Sequence, residues 1–238
     1  MLGFTDYNID AVVKFGGSLL DDEVSCRAAI SSLVSASDKG YRILVVPGGG
    51  PTDNTIEKLD KVYQFASDTH HKACARAQDQ TGIIICDNSF SSSLVACEDF
   101  ECVASALDSK KVAVILPSKI IFTMNPFEKT WDITSDAMAA WFAWVANAKK
   151  VIIFKSVDGV FEKNNLSNEN FGKLIERISA KELVNMGSNA VDACVAPFLA
   201  NKRMNCCIIK GGNEADFINA LDGNTFHGTF VIGNESDE

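Results

Sequence analysis

Short apolar runs alternate with amphipathic segments along most of this chain. Each run has the length and continuous hydrophobicity of a strand that is buried on both faces, and each is followed by residues with helical spacing. Alternating strands and helices of this kind are typical of a mostly parallel sheet that helices cover on both sides. The pattern therefore predicts an α/β fold, a three-layer αβα sandwich with a largely parallel central sheet. The predicted strands are residues 9–15, 41–47, 111–116, 150–154, 205–209 and 228–232.

The segments between these strands predict the helices. Pro51 suits the first position of a helix, and Thr134 or Ser135 can cap another whose first turn holds Asp136. The polar, asparagine-rich residues 162–170 predict a surface loop. The predicted helices start at 21 or 22 and end near 38, then cover about 51–65, 69–84, 97–107, 134–148, 180–186 and 191–202, with a short one after Gly212.

Size and charge narrow the class of protein. The 238 residues suffice for one large α/β domain or two modest lobes. Net charge is −9, with 31 acidic and 22 basic residues, which excludes diffuse binding to nucleic acid or to an anionic membrane. The longest apolar run, residues 137–146, has about half of the length that a membrane span requires. No secretory signal opens the sequence, so we expect a cytoplasmic protein.

The cysteines agree with that location. There are eight of them, without any Cys-x-x-Cys pair, and the adjacent Cys206 and Cys207 lie within an apolar strand pattern. Two neighbouring thiols on one strand do not suit a single metal ion. We therefore expect buried, reduced cysteines in a reducing compartment.

Three of the predicted strands end in glycine-bearing turns. These turns are Gly16-Gly17-Ser18, Gly48-Gly49-Gly50 and the segment 156–159, and ligands of open α/β sheets bind at such strand ends. Glycine allows backbone N–H groups to approach an anion closely, although a single Gly-Gly can also be no more than a tight turn. The chain lacks both the G-x-G-x-x-G and the G-x-x-x-x-G-K-[ST] patterns, which argues against a nicotinamide enzyme and a P-loop phosphotransferase.

Two charged residues make the glycine turns more informative. Lys14 stands one residue before the end of an otherwise apolar strand, where a charge is costly without a partner, and a phosphate at the neighbouring turn would be one. Asp136 is the matching acid, although alone it could simply be a carboxylate that favours the first turn of a helix. Lys14, the turns and Asp136 together indicate a phosphate-handling site.

The same segments resemble the amino acid kinase family. The residues that carry the resemblance are 12–18, 45–51, 132–139 and 156–161, which occur in the family's order and span nearly the whole chain. Within the family, residues 131–141 and 155–158 look most like the archaeal [5-(aminomethyl)furan-3-yl]methyl phosphate kinases of methanofuran biosynthesis. The resemblance implies a kinase with ATP as co-substrate and Mg²⁺ as cofactor.

The resemblance also implies roles for individual residues. Lys14 would bridge the transferring phosphoryl group, and Asp136 would orient Lys14. The residues implied to bind nucleotide phosphates through backbone N–H groups are Gly16, Gly17 and Ser18. Those implied to face the acceptor are Gly48, Gly49, Gly50, Asp132 and Ser135.

The implied nucleotide side departs from the family in one place. Asp158 and Gly159 would lie in the nucleotide turn, but Asp192 occupies the position where many relatives carry a phosphate-binding lysine. A carboxylate cannot replace that lysine, although it could hold part of a Mg²⁺ shell. Lys155, at the end of a strand that faces the same cleft, is the implied substitute; the alternative is a solvated strand terminus.

The leading hypothesis is transfer of a phosphoryl group from ATP to a small phosphate monoester, which gives a diphosphate. Such an acceptor is already ionised and needs no general base, and the sequence offers none, since His70, His71 and His227 are expected to be structural or exposed. The alternatives are a kinase for a nucleoside monophosphate or a carboxylate, and a non-catalytic nucleotide-binding or storage protein.

The resemblance also predicts how the chain is organised. Residues 1–238 would form a single domain, with an acceptor lobe to about residue 148 and a nucleotide lobe from about residue 149. No residue is assigned as a metal ligand, and the direct ligands of Mg²⁺ stay open. The expected partners are ATP and a small phosphate substrate, without nucleic acid or membrane, in a homo-oligomer.

Overall fold

The computed structural model describes residues 7–131, 133–162, 172–186 and 191–233. Asp132 and most of the surface loop predicted at 162–170 lie outside these residues. Within the described ranges, no helix is both long and apolar enough to cross a membrane.

The described residues form one mixed sheet and the helices that cover it. A 3₁₀ helix, Gly17–Asp21, follows the first strand. The strands are β1 (Ala11–Phe15), β2 (Ile43–Pro47), β3 (Leu94–Cys97), β4 (Val112–Ile115), β5 (Val151–Lys155), β6 (Arg177–Ser179), β7 (Cys206–Lys210) and β8 (Thr229–Ile232). The α-helices are α1 (Glu23–Asp38), α2 (Gly50–Tyr63), α3 (Ser67–Ile85), α4 (Phe100–Asp108), α5 (Ser118–Met124), α6 (Ser135–Val145), α7 (Ala180–Met186), α8 (Val195–Lys202) and α9 (Glu214–Asp222).

The strand order confirms the predicted fold class. Across the sheet the strands run β3-β4-β2-β1-β5-β7-β8-β6, and all neighbouring pairs are parallel except β7 and β8. β1 lies between β2 and β5, with Lys14 opposite Val46 on one side and Ile153 on the other. The carboxyl ends of β2, β1, β5 and β7 therefore lie side by side at one edge of the sheet, where ligands of such folds bind.

Two apolar cores, one on each face of the sheet, hold the three layers together. Val12 of β1 and Ile153 of β5 belong to the core that α4 to α8 cover, whereas Val13 and Phe154 belong to the core beneath α1 and α9. Because successive side chains of a strand point to opposite faces, residues two apart share a face. The side chains of Lys14 and Lys155, at the strand ends, therefore lie on the same face of the sheet as those of Val12 and Ile153.

Three short elements were not predicted. They are the strands β3 and β6, with four and three residues, and the helix α5, with seven. The helix predicted at 191–202 begins only at Val195. The helix predicted from residue 97 begins at Phe100, because Cys97 ends β3 and Asp99 accepts a hydrogen bond from the Cys102 N–H as the helix cap.

Candidate active site

The first two glycine turns lie directly against each other. A Cβ atom added to Gly17 would be only 2.4 Å from the Gly50 nitrogen, and one added to Gly48 would be 2.7 Å from the Gly17 nitrogen. The Gly48 N–H also donates to the Phe15 carbonyl at 2.9 Å. The turns after β1 and β2 thus pack backbone to backbone, which only glycine permits at this separation.

The end of β5 completes the same edge. A Cβ on Gly16 would lie 2.7 Å from the carbonyl oxygen of Phe154, and the Gly211 N–H donates to the Lys155 carbonyl at 2.9 Å. The glycine turn of β1 is therefore held between the ends of β2 and β5. The segments that the sequence analysis assigned to acceptor and nucleotide meet at this place.

A cluster of two lysines and one carboxylate stands at this edge. Asp136 Oδ1 lies 2.9 Å from Lys14 Nζ, close enough for an ion pair but away from the direction of a well-aligned hydrogen bond. Asp136 Oδ2 accepts a hydrogen bond from Lys155 Nζ at 2.5 Å. Lys14 and Asp136 are almost fully buried, with side-chain exposures of 8% and 1%.

The local sequence explains why these three side chains meet. Lys14 and Lys155 lie on the sheet face that α6 covers, and β1 and β5 are adjacent strands. The Thr134 hydroxyl caps α6 by accepting from the Asp136 N–H at 3.3 Å. This cap starts the helix at Ser135 and so fixes Asp136 in the first turn, above both strand ends.

The charges of the cluster stabilise one another. Burial opposes ionisation of Asp136, but the attraction of Lys14 and Lys155 outweighs it and holds the carboxyl pKa below its usual range. Burial lowers the pKa of Lys155, and repulsion by Lys14 adds to this, while Asp136 opposes both. One carboxylate thus holds two ammonium groups close together, where they could contact a bound phosphate.

Asp192 is a fourth charged member of the cluster. Burial raises the pKa of its carboxyl to about 6, and repulsion by Asp136 contributes, while Lys155 and Lys14 pull it down. Asp192 Oδ2 is buried without a hydrogen-bond partner. Asp192 is therefore within electrostatic reach of both Lys155 and Asp136.

The other predicted site residues are less closely joined to the cluster. Ser18 is exposed in the 3₁₀ helix, and Ser135 is the first residue of α6. Asp158 Oδ2 faces His227 Nε2 at 3.8 Å, and a Cβ on Gly159 would be 2.5 Å from the Thr229 hydroxyl. The turn after β5 thus contacts β8 and the loop before it.

The structure adds two residues that the sequence analysis did not assign to the site. Lys210 ends β7 directly opposite Lys155, and it shares the sheet face of Ile208, so a third lysine reaches the same edge. The alternation along β7 could have revealed it. Asp53, in the first turn of α2, lies against Gly49 and acts electrostatically on Lys14.

His70 and His71 lie in the helix α3, as predicted. The His70 ring stacks on Trp131 with centroids 4.7 Å apart, and Trp131 begins the segment that leads to Asp136. His71 is buried beside His70, and burial is the main cause that lowers its pKa.

Comparison with known proteins decides the family. The model of the amino acid kinase family matches residues 11–210, which include both glycine turns and the whole Lys14–Asp136–Lys155 cluster. The chain belongs to the amino acid kinase family. This confirms the resemblance seen in the sequence, and it identifies the protein as an ATP-dependent kinase.

Individual relatives of this amino acid kinase fall into two groups. It is 27% identical over 222 residues to the [5-(aminomethyl)furan-3-yl]methyl phosphate kinase of Methanocaldococcus jannaschii, which covers 93% of this chain and 97% of the relative. It is 26% identical over 238 residues to the uridylate kinase of Methanococcus vannielii, across 94% of this chain and all of the relative. Among solved structures, the uridylate kinase of Archaeoglobus fulgidus has a TM-score of 0.71 at 20% identity and covers 93% of this chain and 99% of its own. That likeness establishes the fold.

The packed glycine turns of this kinase lead to a first prediction. Gly17→Ala places a methyl group 2.4 Å from the Gly50 nitrogen. Because backbone atoms already occupy this space, the turn after β1 must shift. We expect kcat/KM for ATP to fall at least about 10-fold, with a loss of about 1–3 kcal/mol in the free energy of unfolding.

Gly40→Ala is the control for this variant. Gly40 has a φ of +99° but no atom within 4 Å of an added Cβ, so its substitution strains the backbone far from the site. We expect Gly40→Ala to lower stability while it leaves the KM for ATP unchanged. Equal kinetic effects of the two substitutions would show that the Gly17 contact does not matter for nucleotide binding.

Proposed function

We propose that this kinase transfers the γ-phosphoryl group of ATP to the phosphate of a small monoester and so produces a diphosphate. The candidate acceptor is [5-(aminomethyl)furan-3-yl]methyl phosphate, an intermediate of methanofuran biosynthesis. The observation that carries the proposal is the buried Lys14–Asp136–Lys155 cluster where the two glycine turns meet.

The cluster suits the electrostatics of phosphoryl transfer. The transition state is loose, with negative charge spread over the transferring group, so catalysis consists mostly of positioning and charge stabilisation. Lys14, held on one side by Asp136, would contact the transferring group, and Lys155 would contact the nucleotide phosphates. The turn at Gly16, Gly17 and Ser18 would bind the nucleotide phosphates, and the turn at Gly48, Gly49 and Gly50 would face the acceptor.

A phosphate acceptor would not require a histidine as general base. A phosphate oxygen is ionised at neutral pH and attacks without a general base. His70 stacks on Trp131, His71 lies beside it, and His227 faces Asp158, so the three histidines of the chain have other neighbours. The two relatives described above are also named for a phosphate monoester, the aminomethylfuran phosphate and uridylate.

Mg²⁺ would enter the site together with ATP and neutralise part of the charge on the β- and γ-phosphates. Within the described residues, no group of three or more His, Cys, Asp or Glu side chains could hold a metal ion. Asp192 nevertheless fits a supporting role, because its buried Oδ2 has no hydrogen-bond partner and carboxylate oxygens are ligands that Mg²⁺ accepts. We therefore propose that Asp192 holds part of the Mg²⁺ hydration shell.

The remaining assignments are proposed with the same division of the chain. Residues before about 148 would bind the acceptor, with Asp132 and Ser135 among the contacts, and residues after about 149 would bind the nucleotide, with Asp158 and Gly159 in its turn. The protein would act in the cytoplasm as a homo-oligomer.

A panel of acceptors tests the proposal. The purified kinase is incubated with ATP, Mg²⁺ and one acceptor at a time, and ADP release is followed. We expect the highest kcat/KM with the aminomethylfuran phosphate, a lower value with UMP, and no stimulation by carboxylates such as N-acetylglutamate. Stimulation by a carboxylate but by no phosphate monoester would reject the proposed acceptor class, and nucleotide binding without turnover would favour a storage or binding protein.

A further inference from the structure

Asp53 lies in contact with the second glycine turn. It follows the second glycine turn in the first turn of α2, and its side chain folds back onto Gly49, so that a Cβ on Gly49 would be 2.4 Å from the Asp53 Cβ. The Asp53 carboxyl is also within electrostatic reach of Lys14. The carboxylate therefore lies at the acceptor side of the proposed site, beside the turn that would face the acceptor.

The other acids on this side of α2 already have partners. Glu57 forms an ion pair with Lys61 at 2.7 Å. Asp60 accepts from the Phe65 N–H through Oδ1 and from Trp131 Nε1 through Oδ2, both at 2.7 Å. Asp53 Oδ1, in contrast, is buried without a hydrogen-bond partner. A buried carboxylate oxygen in this state favours any ligand that brings a donor with a positive charge.

An aromatic ring is anchored about two turns beyond Asp53 on the same helix. The Trp131 ring stacks on His70 and is anchored by its hydrogen bond to Asp60. Asp53 and Asp60 both act electrostatically on the Cys74 thiol of α3, so both carboxylates lie on the side of α2 that packs against α3.

We infer that Asp53 binds an ammonium group of the acceptor and thereby selects an amine-bearing phosphate monoester over a nucleotide. This inference rests on the proposed function. Asp53 would be the residue that determines which phosphate monoester the kinase selects. An ammonium group would donate a hydrogen bond to the partly exposed Asp53 carboxylate and neutralise its charge. Uridylate offers no cation there, so its binding would leave the Asp53 charge desolvated and unpaired.

A stability measurement separates this role from a structural one. Burial raises the pKa of Asp53, and the negative charge of Glu57 raises it further, although a hydrogen bond from Cys74 lowers it. The folded state thus binds the Asp53 proton more tightly than the unfolded state does. The free energy of unfolding therefore declines as the pH rises from the pKa of Asp53 in the unfolded chain to its higher pKa in the folded protein. Removal of the charge should stabilise the protein at neutral pH, whereas loss of a structural contact would destabilise it.

The experiment compares Asp53→Asn with the wild type on three acceptors. These are [5-(aminomethyl)furan-3-yl]methyl phosphate, the isosteric alcohol in which a hydroxyl replaces the amine, and UMP. We expect the wild type to prefer the amine over the alcohol by about 10- to 100-fold in kcat/KM, as a hydrogen-bonded charge pair would give. In Asp53→Asn the preference should fall to within about 3-fold, mainly through the KM of the amine, because the ammonium group is remote from the reacting oxygens.

Glu57→Gln is the matched control, since it removes one carboxylate from the same helix but one that Lys61 already neutralises. We expect it to keep the amine preference, and we expect the Tm of Asp53→Asn to equal or exceed that of the wild type. An Asn variant that retains the amine preference would overturn the inference. So would one that loses amine and alcohol turnover equally with a lower Tm.

Failure of the proposed function would be recognised separately. The wild type would then release no ADP with any of the three monoesters, which would overturn the function and this inference together. If only the inference is wrong, the wild type turns over a monoester and the Asp53→Asn substitution leaves its selectivity unchanged.

Discussion

Lys14→Ala is expected to lower kcat at least about 100-fold, because a contact to charge that develops in the transition state is worth several kcal/mol. Lys14 is buried at the end of β1, just before the first glycine turn, and it forms an ion pair with Asp136. Lys155, which pairs with the same carboxylate, is more exposed, with 19% of its side chain accessible against 8% for Lys14. Steady-state kinetics with saturating ATP and acceptor measure the loss.

Lys149→Ala is the control for this substitution. Lys149 forms an exposed ion pair with Asp10 at 2.7 Å, at the opposite edge of the sheet, just before β5 begins. We expect its removal to leave kcat unchanged and to alter stability by less than about 1 kcal/mol. Near-normal turnover by Lys14→Ala would contradict the role assigned to Lys14.

Asp136→Asn should have the second largest effect, on both activity and stability. The amide keeps the shape of the side chain but removes the negative charge that holds Lys14 and Lys155 together. Removal of one partner from a buried ion pair costs about 3–5 kcal/mol, and we expect that loss in the free energy of unfolding by urea. We expect kcat to fall about 100-fold, because both lysines move away from their positions for transfer.

Asp108→Asn provides the matched comparison. Asp108 pairs with Arg42 at 3.0 Å, but its side chain is 72% exposed, so the same change of charge should be nearly neutral. The double variant Lys14→Met, Asp136→Asn should be less destabilised than the sum of the two single variants, because it leaves fewer unpaired charges. Strict additivity, or a stable and active Asp136→Asn variant, would show that the cluster does not act as a unit.

Much of this architecture follows from the hydrophobic pattern. Long apolar strands such as β1 and β2 and long helices such as α3 were predicted within a few residues, because they contain several repeats of their period. β3, β6 and α5 were missed, since each is short and is stabilised by neighbours that are distant in sequence. The Asp79 carboxylate of α3, for example, accepts from the Ser118 N–H at 3.0 Å and so helps to start α5.

The candidate site could also be predicted only in part from the sequence. Lys14 was identified because a charge within an apolar strand is costly, and Asp136 because Thr134 can cap a helix. The contact between Asp136 and Lys155 depends on β1 and β5 being neighbours, which is a property of the strand order and not of either segment. Asp53 gave no signal in the sequence, since its environment depends on how it folds back onto Gly49. The placement of Asp132 lies outside the described residues.

Transfer of the γ-phosphoryl group of ATP to the phosphate oxygen of a monoester can be observed by ³¹P NMR of the kinase with ATP, Mg²⁺ and [5-(aminomethyl)furan-3-yl]methyl phosphate. We expect the monoester singlet to be replaced by the two coupled doublets of a diphosphate ester while ATP is converted to ADP. An unchanged monoester singlet, with the γ-phosphate of ATP appearing as inorganic phosphate or not released at all, would contradict it.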